Sequence, residues 1–277
     1  MILINGVSPE QINMMPLSTL ERSILSKKQN SPVVYRYDSL GALNFELKTR
    51  VSIVEAAKTL NASGVDFADF DKSRCNEQFW IRMENGGFQL RSDVLPSDGI
   101  NDIFRNGKLY AFECSMAIVM VLYKAILDVL PKQTFNRHFQ DLVLYGWHYD
   151  KDLPLRKIES GLEVYPGDVQ YFKNPDYDPE TPEWQGENVV VLGDDLYFGH
   201  GIGIRTSRGM IDALNKARRP FSYTSAYLMD EVVILEYELL RTLPLREERT
   251  GMDDVGVLTA HIGTQAYHYK NDKFDVV

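Results

Sequence analysis

The segment YAFECSMAIVMVLYKAILDVL, residues 110–130, constrains this chain more than any other. From Met116 to Leu130 it is apolar nearly all round, broken only by Lys124 and Asp128. A helix of that kind must be covered on every side, so it forms the centre of a packed domain. It is too short and too charged to span a bilayer. Cys114 stands in the first turn or immediately before it, next to Glu113. There the unpaired backbone N–H groups and the helix dipole favour an anion. A thiol pKa of about 8.5 falls to roughly 3.5–7.5 in such places. Cys114 is therefore a candidate nucleophile, against the bland reading of a core cysteine.

The rest of the chain supplies an α+β frame. Residues 38–63 carry one apolar face at helical spacing, with a break near Thr49 as one option and Gly64 as a C-cap. QFWIRMENGGFQLR, residues 78–91, reads as a hairpin turning at Asn85-Gly86. A further turn of helix is expected over Gln133 to Phe139. The β-type runs DLVLYGW, GDVQYFK, ENVVVLG and DLYFGHGIGI follow, making a mostly antiparallel sheet against the central helix. Thr206 or Ser207 caps a helix that runs to Arg219, and VVILEYELL, 232–240, fits helix or strand. No repeat, low-complexity stretch or Gly/Ser linker marks a boundary.

A nucleophilic thiol needs a base. If Gly193-Asp194 makes a two-residue turn, Glu187 falls directly opposite His200, with Cβ atoms roughly 4.5–5.5 Å apart. If the turn is Asp194-Asp195, the register moves by two and the pair still shares a face. His148 is a weaker alternative base. Glu113, beside the thiol, either caps the helix or folds back toward the sulfur. Gly199, Gly201 and Gly203 permit close approach by a helix or a substrate chain.

The net charge of −9 disfavours nucleic acid. It suits amine-bearing partners. Lys216, Arg218 and Arg219 read as a helix C-terminus rather than a binding patch. The N-terminus MILINGVSPEQ lacks a basic region and a long apolar core, so no signal peptide is expected. Two cysteines and scattered histidines give no zinc spacing, and the acidic loop 175–187 lacks an EF-hand pattern. No metal or cofactor is expected. Nothing specifies an oligomer, and monomer is the default.

FEC with its apolar helix, LYGWHY, YFKNP, WQGEN (184–188) and YFGHGIGI stand in one order along the chain. With FELKTRVSIVEAAKTLNASG (45–64) and SAYL (225–228), they resemble the spore-coat protein-glutamine γ-glutamyltransferases of spore-forming bacilli, small calcium-independent transglutaminases. The resemblance covers roughly residues 1–230. It implies a papain-like or NlpC/P60-like cysteine transferase core over 1–231, with 232–277 an extension of unknown role. It implies Cys114 as nucleophile with Glu187 and His200 near it and Glu113 auxiliary. It also implies a tunnel walled by Phe67, Trp147, Trp184 and Tyr197, although core packing serves equally for Phe67. The implied reaction joins glutamine and lysine side chains of spore-coat proteins through a Cys thioester. The competing readings are an NlpC/P60-type hydrolase and a non-catalytic coat protein.

Overall fold

In the computed structural model, residues 1–147, 153–158, 163–250, 258–262, 265–270 and 273–276 are described. The apolar run forms the helix Cys114–Val129, buried along nearly its whole length. Its two charges meet each other as the ion pair Lys124–Asp128, one turn apart at the more exposed end. Each buried Met, Ile or Leu of this helix is worth about 1.5–3 kcal/mol against exposure. Pro131 stops it, because the residue before proline is pushed out of the helical region. Leu130 accordingly sits at φ −94°, ψ 155°.

The long helix Leu40–Ala62 packs along the central one. Ser39 caps it by accepting from the Ala42 amide at 3.1 Å. It does not break at Thr49, whose hydroxyl donates to the Phe45 carbonyl one turn back at 2.8 Å. Gly64 follows its end at φ +82°, the left-handed position that favours glycine. The hairpin pairs Trp80–Arg82 with Phe88–Leu90 around Asn85-Gly86, with Gly86 at φ +83°.

The main sheet is antiparallel throughout. Its order is Gly203–Arg205, Leu196–Gly199, Gly186–Gly193, Val169–Lys173, Val232–Leu235, Leu155–Ile158, and Tyr227–Leu228 pairs beside Val169–Lys173. The central helix packs on Gly186–Gly193. A short parallel pair, Asp66–Phe67 with Ala111–Phe112, leads directly into Glu113 and Cys114. Thr206 caps the helix Ser207–Lys216. The basic residues beyond it are engaged locally, with Arg219 on Asp176 at 3.0 Å and Arg218 on the Thr224 carbonyl at 2.9 Å.

VVILEYELL is both things in turn: strand Val232–Leu235, then helix from Tyr237. That strand pairs with Leu155–Ile158 inside the main sheet, and the first compact unit runs Met1–Leu240. The second unit, Arg241–Val277, contains an antiparallel three-stranded sheet of Leu258–Ile262, Gln265–Lys270 and Lys273–Val276. Among the described residues no helix is long and apolar enough to cross a membrane.

Candidate functional site

Cys114 is the first residue of the central helix, and Glu113 is its cap. The Glu113 carboxylate accepts from the Ser115 amide at 2.7 Å, the Ser115 hydroxyl at 2.6 Å and the Met116 amide at 2.7 Å. Both oxygens are therefore engaged at the helix end, and of the two roles open to Glu113 the geometry is that of a cap. Such caps contribute about 0.5–2 kcal/mol.

That cap reverses one expectation. Glu113 takes up the N–H groups and the positive end of the dipole that would have stabilised a thiolate. Burial raises the Cys114 thiol well above its ordinary pKa, and the carboxyls of Glu187 and Glu113 raise it further. The opposing influence is Asn188, whose side-chain amide donates to Cys114 Sγ at 3.3 Å. The resting sulfur is a protonated thiol.

Glu187 lies on the strand Gly186–Gly193, 1% exposed. Its Oε1 has no hydrogen-bond partner. Burial pushes its carboxyl well up, the Glu113 carboxyl adds to this, and the His200 backbone N–H opposes it. Because the Glu187 and Cys114 charges oppose each other, their titrations belong to the pair rather than to either residue.

Glu187 does not stand opposite His200. The turn is Asp194-Asp195, with Asp195 at φ 49°. A bulge between Val191 and Gly193 then shifts the register so that Val189 pairs with Gly199. His200 falls just past the strand end, and it is its backbone that meets Glu187. At two of the three glycines the close approach is made by a side chain. A Cβ on Gly199 would lie 2.6 Å from Glu187 Cγ, and one on Gly201, at φ +102°, would lie 2.8 Å from Phe67 Cδ2.

The His200 ring is buried against Phe112 at 4.9 Å and Phe67 at 5.9 Å. Its Nε2 lies 3.2 Å from the Asp66 carbonyl and 3.1 Å from the Phe112 carbonyl. An N–H there ties together the two short strands that lead to Cys114. Burial lowers the His200 pKa to about 4. The ring is thus neutral near pH 7, and its geometry is that of a prop. In the unfolded chain the same ring protonates near 6.5. Between those values the unfolded chain binds the extra proton, so stability falls as the pH drops through 6.5 toward 4. A loss of roughly 3 kcal/mol is expected. Urea midpoints for wild type and His200→Gln at pH 7 and pH 4.5 check this, with the variant showing the smaller decline.

Cys114, Glu113, Ser115 and Asn188 line a cleft of about 1410 Å³. Aromatic rings of Phe67, Phe70, Tyr145, Trp147 and Tyr171 wall it. Trp147 is 38% exposed. Trp184 is not on the wall; it stacks on Phe67 from behind, with centroids 5.4 Å apart and planes 29° apart. Tyr197 belongs to the neighbouring core, edge-on to Phe172 at 5.3 Å. Asn188 and Tyr171, paired across adjacent strands, were not singled out in the sequence. His148 lies outside the described residues. Cys75 is apart from this group, its thiol facing the Trp80 carbonyl and pushed by burial to about 11.

A family model described as protein-glutamine gamma-glutamyltransferase matches residues 1–244. A protein-glutamine gamma-glutamyltransferase of Bacillus mycoides (strain KBAB4) is 43% identical over 225 residues, 81% of each chain. One of Bacillus cereus (strain AH187) is 42% identical over 225 residues, again 81% of each. A solved transglutaminase from Geobacillus stearothermophilus, without its C-terminal extension, is 52% identical with a TM-score of 0.70. It covers 73% of this chain and 96% of its own.

Proposed function

The chain belongs to the protein-glutamine gamma-glutamyltransferase family, an acyltransferase on a papain-like fold, and on that premise we propose that Cys114 carries the γ-glutamyl group as a thioester. The observation that carries this reading is the buried thiol hydrogen-bonded to Asn188 and electrostatically coupled to Glu187 on the floor of an aromatic cleft. Glu187, when ionised, takes the thiol proton as sulfur attacks the carboxamide carbon of a protein glutamine. The tetrahedral oxygen is met by the Asn188 amide and the Cys114 N–H, because the Ser115 and Met116 amides are held by Glu113. Glu187 returns the proton to the departing nitrogen and ammonia leaves. A lysine ε-amine then attacks the thioester, Glu187 accepts its proton and passes it to the released sulfur. One isopeptide bond forms and one ammonia is lost. A carboxyl that burial raises well above the ordinary carboxylate range suits both directions of transfer. His200 acts on this chemistry by position, not by proton transfer.

The substrates in this proposal are spore-coat proteins bearing accessible glutamine and lysine, cross-linked without calcium. The Bacillus relatives and the motif resemblance support it. Incorporation of a fluorescent primary amine into a glutamine-rich protein, with ammonia followed in parallel, tests the reaction. Labelling that survives EDTA fits the proposal. Ammonia release without labelling makes the chain a hydrolase, and labelling lost with EDTA and restored by calcium removes calcium independence.

Aromatic walls that exclude water favour the amine over hydrolysis. Trp184→Ala removes the ring behind Phe67 and loosens that wall. Ammonia release relative to amine labelling is expected to rise severalfold. An unchanged ratio denies the Phe67–Trp184 stack this role.

A further inference from the structure

Alternate residues of one strand face opposite ways. Along Leu155–Ile158 and Val232–Leu235, Lys157 and Val233 line the Cys114 cleft, whereas Arg156, Ile158, Val232 and Ile234 line a separate cavity of about 340 Å³. That size lies at the lower end of small-molecule sites, roughly 300–1,000 Å³.

The polar floor of this cavity has an imbalance. Lys28, Glu46, Arg50 and Asp168 are all buried there. The acceptors are filled. Glu46 takes Lys28 Nζ at 2.9 Å and Arg50 Nε at 2.7 Å on Oε1, and the Tyr37 hydroxyl at 2.8 Å on Oε2. Asp168 takes Arg50 Nη1 at 2.6 Å and the Tyr165 amide at 2.7 Å. The donors are not filled. Lys28 gives one of its three N–H groups to Glu46, and Arg50 Nη2 has no acceptor among the described residues. The Tyr237 hydroxyl is buried with no partner. An unmet buried donor is costly, and a ligand acceptor in the cavity would relieve it.

The rim carries the opposite imbalance. Arg156 is paired with Glu236 at 2.7 Å. Asp38 and Asp230 are exposed with no ion pair among the described residues, and Glu163 accepts from the Tyr165 hydroxyl at 2.5 Å on Oε2. Between floor and rim the walls are apolar, with Val33, Ala42, Val232 and Ile234. The rings are held in place: Lys28 Nζ lies 4.0 Å over Tyr35, and the Arg50 guanidinium 5.0 Å over Tyr237.

We propose that this cavity binds a small apolar α-amino acid as its zwitterion. The carboxylate meets Lys28, Arg50 Nη2 and the Tyr237 hydroxyl, the ammonium faces Asp230 and Glu163, and the apolar side chain takes the Val33–Ile234 wall. A lone anion would meet the acidic rim, and a lone amine would leave the floor donors empty.

The test is titration calorimetry on the full chain, with no acyl donor present. The probes are L-valine, L-leucine and L-methionine, together with 4-methylpentanoate and 3-methylbutylamine, which are leucine without its ammonium and without its carboxylate. At least one amino acid should bind, with leucine roughly ten- to hundredfold tighter than either analogue. Tyr237→Phe should weaken the amino acid about tenfold while amine incorporation stays at the wild-type rate. Equal binding of 4-methylpentanoate makes this an anion site, and equal binding of 3-methylbutylamine makes it an amine site; each overturns the proposal. So does the absence of binding by all three amino acids, or binding that Tyr237→Phe leaves unaltered.

Discussion

Cys114→Ala is expected to abolish amine labelling and ammonia release together, a fall of about 10⁴-fold or more. No substitute thiol stands in the cleft. Cys75 is half-buried beside the Trp80 carbonyl with its pKa pushed to about 11. The loss should be chemical rather than structural. Alanine keeps the Cβ at the helix start and leaves the Glu113 cap on Ser115 and Met116 intact. What goes is one sulfur and its bond from Asn188, which remains at the edge of an open cleft where water can replace the partner. Near-UV circular dichroism and the urea midpoint should therefore stay close to wild type while both product assays go silent. Labelling that persists in the variant would remove Cys114 from the chemistry, and a hydrolysis signal that persists alone would give water a route that bypasses the thioester.

The central helix was legible because burial on all sides leaves no other pattern of residues. The hairpin at Asn85-Gly86 was legible because its turn chemistry is local. The direction of the thiol shift was not. The bare helix terminus favours a thiolate, yet the residue that caps it, Glu113, occupies the same N–H groups and brings a negative charge. A one-residue bulge was equally invisible, and it moved Glu187 from the ring of His200 to its backbone. Which aromatics face the cleft depends on how chain segments far apart in sequence cross; Trp184 backs Phe67 instead of lining the wall. The second cavity follows the same rule. Glu46 and Arg50 are neighbours on one helix face, but Asp168 closes the network from 118 residues away.

Glu187→Gln separates acid–base chemistry from architecture more sharply than any other substitution around Cys114. Glutamine keeps the shape and an oxygen for the His200 N–H, but it cannot exchange protons. Turnover is expected to fall by about 10²–10⁴-fold. Two other quantities should move the opposite way. The Glu187 carboxyl is one cause of the raised thiol pKa, so its removal lowers that pKa and iodoacetamide should alkylate Cys114 faster in the slower enzyme. A carboxyl whose folded pKa lies above its unfolded value binds more protons when folded, and that state loses stability as the pH rises between the two. Glutamine removes this penalty, so the urea midpoint at neutral pH should rise. In wild type, kcat/KM should climb with pH through the raised Glu187 range and not the ordinary carboxylate range, and the Gln variant should lose that limb. Glu113→Gln gives the contrast. Its carboxylate holds three donors at the helix start. Replacing it weakens the cap by about 1 kcal/mol. The midpoint falls there, and turnover drops far less than for Glu187. Wild-type turnover in Glu187→Gln, or a larger loss in Glu113→Gln, would pass the proton-transfer role to the cap residue. In that case the free Oε1 of Glu187 would have no part in the reaction.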